Sequence, residues 1–145
     1  MNAYYNERTI MENPSVFPIG EPNDGFAQYF VGQSYLASVL DTPEFSIHNV
    51  TFEPGCRNNW HIHHGGAQVL IAVGGRGYYQ IEGQEPKELK AGEAVCIPAD
   101  TKHWHGAAPG ESFSHLAFMV PAGAPGAMSN EWLEPVDAQA YESLA

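Results

Sequence analysis

The chain has 145 residues, 43% of them hydrophobic, which suits one domain with a real core that needs neither disulfide nor metal merely to fold. Seventeen Asp and Glu against six Lys and Arg leave a formal net charge of −11, a surface that repels phosphate and argues against nucleic acid or an anionic membrane as partner. No run approaches about 18 apolar residues, so no transmembrane helix is expected, and the segment MNAYYNERTIMENPSV lacks the apolar stretch of a signal peptide.

Residues 1–25 are polar and turn-rich and read as an N-terminal arm; residues 26–145 read as one domain. FAQYFVGQSYLASVL (26–40) is β-prone and interrupted by Gly32, giving one or two strands. Short β-rich runs then alternate with Gly/Pro turns. FSIHNVTFE ends at Pro54-Gly55, AQVLIAV at Gly74-Gly75, and RGYYQIEG follows as the second arm of a hairpin across that glycine pair. KELKAG, EAVCIP, HWHGAA and ESFSHLAFMV complete the series. Seven or more strands at this spacing predict an all-β antiparallel barrel or sandwich. Residues 121–130 read as a loop, and PVDAQAYESLA as a short C-terminal helix with Asp137 at its N-cap. Cys56 and Cys96 have no CxxC partner and read as reduced packing residues of a cytoplasmic protein.

Three of the seven histidines crowd into WHIHHGGAQ. Side chains at i and i+2 share a strand face, so His61 and His63 aim together, about 6–7 Å apart, while Ile62 and His64 aim the other way. Gln68 can return to the same site after a Gly65-Gly66 turn. His103 and His105 form a second i, i+2 pair. His61 and His63, with Gln68 and a fourth group from the His103/His105 pair, can share one divalent ion with N/O ligation. With no thiolate among them and an octahedral shell expected, Mn²⁺ or Fe²⁺ is favoured over Zn²⁺ in use, although Ni²⁺ and Zn²⁺ can also bind. The neutral Gln68 leaves the ion's charge uncompensated, which strengthens its Lewis acidity toward an anionic ligand.

Around these donors, His105 faces the same way as His103 and is a candidate acid or base. His115 lies among apolar residues of a strand whose two faces are both largely apolar. His48 shares a face with Val50 and Phe52 and so turns inward. His64 reads as solvated. Trp60 and Trp104, each on the face opposite its neighbouring histidine, read as braces.

The spacing Gly55, five residues, His61-Ile62-His63, four residues, Gln68, six residues, Gly75 resembles the first motif of the cupin superfamily. Gly92, five residues, Pro98-Ala99-Asp100, two residues, His103, three residues, Ala107 resembles the second. Gln68 stands where the motif has Glu, Asp100 where it has a turn glycine, and Ala107 where it has Asn. Asp tolerates positive φ better than most residues, so the turn survives. VTFEPGCRNNWHIHH, KHWHGAAP and SHLAF further resemble the small bacterial cupins that include manganese-dependent hydroxynitrile lyases. In that group Gln is an expected ligand. The loop between His63 and Gln68 is one residue longer here, and the His48 position is usually small and apolar.

The resemblance implies a single-domain cupin β-barrel, an antiparallel jelly roll. It implies metal ligation by His61, His63, Gln68 and His103, and proton transfer by His48, His105 or His115. The implied reaction is that of a lyase: a C–C bond of a small-molecule substrate breaks through an alkoxide, as in cyanohydrin cleavage to a carbonyl compound and cyanide, or in a retro-aldol reaction. It also implies a homodimer or homotetramer. Two alternatives use the same fold: an Fe-dependent dioxygenase-type oxidoreductase, and a non-catalytic metal- or small-ligand-binding cupin.

Overall fold

The computed structural model describes residues 11–144. Residues 14–20 of the arm run over the outside of the chain's own sheet, where Asn49 Nδ2 donates to the Pro18 carbonyl at 2.9 Å. The first ten residues of the predicted arm lie outside the described residues. In chain order follow β1 (Glu21–Pro22), a 3-10 turn (Asp24–Tyr29), β2 (Phe30–Val31), β3 (Ser34–Asp41), β4 (Ser46–Phe52), β5 (Arg57–Asn58) and β6 (His61–His64). Next come β7 (Gly66–Ile81), β8 (Lys87–Lys90), β9 (Ala94–Ile97), β10 (His103–Ala107), β11 (Phe113–Pro121) and β12 (Ser129–Trp132). The helix α1 (Ala138–Glu142) closes the series, and its N-cap Asp137 accepts from the Ala140 N–H at 2.9 Å, as predicted.

The strand pairs among the described residues are antiparallel and build one curled sheet in the order β1-β3-β4-β11-β7-β10-β5-β2. β12 pairs with β6, and β6 with β10. The hydrogen bonding of β7 changes partner along its length. Its first half lies between β11 and β9, its second between β10 and β8.

This corrects the hairpin expected at Gly74-Gly75. The strand runs straight through the pair. Opposite it the register shifts between Ser114 and His115, leaving Val73 unpaired as a β-bulge. A Cβ on Gly74 would stand 2.1 Å from the Pro14 carbonyl oxygen, and one on Gly75 1.9 Å from that of Ser112. The glycines serve close backbone approach and a bend of the sheet, not a chain reversal. Gly65-Gly66 is likewise no hairpin turn, because β6 pairs with β10 and β12 and the chain crosses from there into β7. Residues 24–29 form the 3-10 turn where a strand was expected, and Gly32 separates β2 from β3.

Two apolar clusters hold the curl together. Phe52, Cys56, Ala72, Leu89, Ala107 and Phe113 fill the barrel. Trp104, Val136 and Tyr141 pack outside it under α1, with Trp60, Tyr78 and Leu144 around them. Trp104 is thus the brace expected of it. Cys56 is buried, with its thiol pKa pushed up to about 12 by desolvation, whereas Cys96 is exposed on β9, so packing accounts only for the first. Both are free thiols. Among the described residues no helix is long and apolar enough to cross a membrane.

Candidate functional site

Strand β6 alternates as its sequence demands: His61 and His63 are buried, while Ile62 and His64 are half-buried on the other side. His103 on β10 sits directly opposite His61, with ring centroids 4.2 Å apart. On the other flank β12 places Asn130 opposite His63 and Trp132 opposite His61. Gln68 enters from β7, its Oε1 3.1 Å from His63 Nε2 and 3.2 Å from His103 Nε2. The chain therefore brings together the four donors named from the sequence. It adds His105, a ring nitrogen of which lies within 4.8 Å of ligand atoms of His61 and His103.

Which nitrogen each ring offers follows from its other contact. His61 Nδ1–H donates to the Asn59 carbonyl at 2.8 Å, and His103 Nδ1–H to the Thr101 carbonyl at 2.9 Å. His63 Nδ1 lies 2.6 Å from Asn130 Oδ1, again an oxygen acceptor. The carbonyl partners leave His61 and His103 with a bare Nε2. The tight nitrogen cluster is His61, His103 and His105, and His63 joins through Gln68. Burial keeps the rings neutral. It pushes His61 well below the usual imidazole range, His63 down, and His103 down to about 4. Gln68 Oε1 thus stands between the Nε2 atoms of His63 and His103. This donor set fits an ion that prefers nitrogen and oxygen ligands.

Deeper in, His105 and His115 form a second arrangement. His115 Nε2 is 3.1 Å from His105 Nδ1, and both side chains are buried. Asn58 holds His105: its Oδ1 accepts the His105 backbone N–H at 2.9 Å, and its Nδ2 lies 3.3 Å from the ring Nε2. Desolvation lowers His105 well below the usual imidazole range, with His115 adding to it, and brings His115 to about 4. One proton serves the contact between these neutral rings.

A cavity of about 450 Å³ opens over both arrangements. His48, His61, His63, Gln68, His105 and His115 contribute to its wall, with Phe26, Phe30, Phe45, Phe52 and Trp132 as aromatic lining. The strand parity left open for His115 resolves inward: Ser114 faces out and bonds Asn49 Oδ1 at 2.9 Å. His48 is half-buried, on the cavity side as expected. His64 stays outside, its Nδ1 2.7 Å from Asp100 and its Nε2 2.9 Å from Glu131. Asp100 has φ 61, the positive value anticipated at the substituted turn position.

Sequence reasoning missed Asn58, Asn130 and Trp132. The ring of Trp132 lies 4.7 Å from that of His61 and stacks on Tyr29 at 4.5 Å. Asn130 falls inside the segment 121–130 read as loop; the end of that segment instead opens β12, and a 3-10 turn (Pro125–Ala127) precedes it.

A curled antiparallel sheet around clustered buried histidines is the cupin arrangement, and the chain belongs to that family: the cupin domain matches residues 48–121. Among its relatives, the (R)-mandelonitrile lyase of Granulicella tundricola is 35% identical over 120 residues, 81% of this chain and 88% of that protein. A cupin-like protein of Thermotoga maritima is 32% identical, with a TM-score of 0.77 over 90% of this chain and 96% of its own. A DMSP lyase of Ruegeria pomeroyi shares the fold at 15% identity and a TM-score of 0.59, covering 77% of this chain and 55% of that one.

Proposed function

We propose that this cupin is a metal-dependent lyase that cleaves an α-hydroxynitrile into a carbonyl compound and hydrogen cyanide. The observation that carries the reading is the pairing, across one cavity, of an oxygen-locked neutral donor set with a buried histidine couple able to move a proton. The relationship to a mandelonitrile lyase supports it.

In this reading His61, His63, Gln68 and His103 hold the ion, Mn²⁺ in the first instance. Bound there, it supplies Lewis acidity toward a hydroxyl oxygen. The protein does the rest. The aromatic wall receives the substrate's apolar part and excludes water. His105, kept neutral by burial, takes the hydroxyl proton, and His115 shares it across the 3.1 Å contact. The C–C electron pair leaves with cyanide, which collects the proton held by the His105–His115 couple and restores both neutral rings. His48 faces the same space from β4 and is, in this reading, a further polar contact for the substrate.

The test is anaerobic release of cyanide and benzaldehyde from mandelonitrile, at acidic pH where spontaneous breakdown is slow. Mn²⁺-loaded protein, chelator-treated protein and His103→Ala are compared. Turnover that needs both the ion and His103 is the expected outcome. Equal rates in all three would end the hydroxynitrile reading and turn attention to retro-aldol substrates.

A further inference from the structure

The ligand-bearing strand β6 is the middle of a three-strand ribbon, β10-β6-β12. The partner on one side, β10, brings His103 itself. The partner on the other, β12, brings no donor of its own, yet it sets Asn130 opposite His63 and Trp132 opposite His61. His61 and His103 bond backbone carbonyls two residues before them in sequence, so their orientation is settled locally. His63 depends for its Nδ1 contact on a side chain 67 residues away. The backbone of β12 approaches β6 through antiparallel pairing that does not involve the Asn130 side chain.

We propose that Asn130 is a positioning residue for the metal centre: by accepting the Nδ1 proton of His63 it fixes that ring's tautomer and turns its Nε2 to the ion. This deepens the metal-site reading and rests on it. Partners that orient a ligating histidine typically govern metal affinity by about 10–100-fold. Asn130 differs from the commoner carboxylate partner in being neutral. With carbonyls behind His61 and His103 as well, the whole arrangement leaves the ion's charge uncompensated. The side chain therefore sets both how firmly an ion is held and how electron-poor it remains.

The experiment is titration of purified, chelator-stripped protein with MnCl₂, following the free-ion EPR signal, for wild type, Asn130→Ala and Asn130→Asp. Alanine is expected to weaken Mn²⁺ binding about 10–100-fold. Aspartate, which keeps the acceptor and adds charge, is expected to bind at least as tightly as wild type. Melting temperatures of the stripped proteins are measured alongside and are expected to agree. Alanine within twofold of wild type would overturn the proposal. So would aspartate as weak as alanine, or an affinity loss that tracks a fall in the stripped protein's melting temperature. A wild-type chain that holds no Mn²⁺ would overturn the metal-site reading, and the proposal with it.

Discussion

Two groups of histidines share one cavity and are built on different rules. His61 and His103 each give Nδ1–H to a backbone carbonyl, which leaves them one tautomer and a bare Nε2, and His63 Nδ1 meets the Asn130 side-chain oxygen. His105 and His115 meet nitrogen to nitrogen, so one ring donates and the other accepts. An oxygen partner fixes a tautomer, because it can only accept the proton. A nitrogen partner makes a relay, because imidazole both accepts and donates. Burial acts alike on both groups and keeps them neutral. The hydrogen-bond partner, not the burial, separates their roles.

The largest effect should come from the locked group. His103→Ala is expected to weaken Mn²⁺ binding by roughly 100-fold or more and to abolish turnover, read by metal content after gel filtration and by cyanide release. In the relay group, His105→Ala and His115→Ala should retain Mn²⁺ within a few-fold while kcat falls by about 10²–10⁴. Since a nitrogen of His105 also lies within 4.8 Å of ligand atoms of His61 and His103, loss of the metal in His105→Ala would move it into the first group and break the division.

Packing on the reverse side of β10 offers a control. Trp104, buried between His103 and His105 in sequence but facing α1, should cost about 3–5 kcal/mol in stability when cut to Ala, with Mn²⁺ affinity of the folded fraction unchanged. Denaturant melts of the stripped protein check this. An acid titration sharpens the shared burial. His115 has its pKa lowered from 6.5 to about 4 by desolvation, so above pH 6.5 folded and unfolded chains are both neutral there. Between those values the unfolded chain binds the proton and the folded one does not, so stability falls as pH falls through this window and levels off below it. The loss is at most ~3 kcal/mol for this histidine, read from urea midpoints of chelated protein, and His115→Phe should flatten the curve. The smallest effect belongs to His48, only half-buried at the cavity wall: His48→Ala should change kcat/KM no more than about tenfold without touching metal content.

Much of the site was legible because its residues follow strand parity. His61 with His63, and His103 with His105, are each two residues apart, and the period of a strand puts them on one face wherever the strand lies. Asp100 in a left-handed turn and Asp137 at a helix start were equally local matters. Where the reading failed, a local rule met a distant neighbour. Gly74-Gly75 has the composition of a hairpin turn, but Pro14 and Ser112 crowd against it, and the pair became a bulge in an unbroken strand. His115 had apolar residues on both its faces in sequence. Only the polar Asn49–Thr51–Ser114 set beneath the arm decided which side turned outward.

The sequence by itself determined the strand-rich class and the pairing of its histidines by face, because backbone period acts within a few positions. The tertiary structure decided that β7 spans both halves of the barrel, that Asn58, Asn130 and Trp132 come to the histidines, and which ring nitrogen each histidine presents. Those outcomes are set by cross-strand register, which depends on how distant segments meet and bury one another, and no local spacing encodes it.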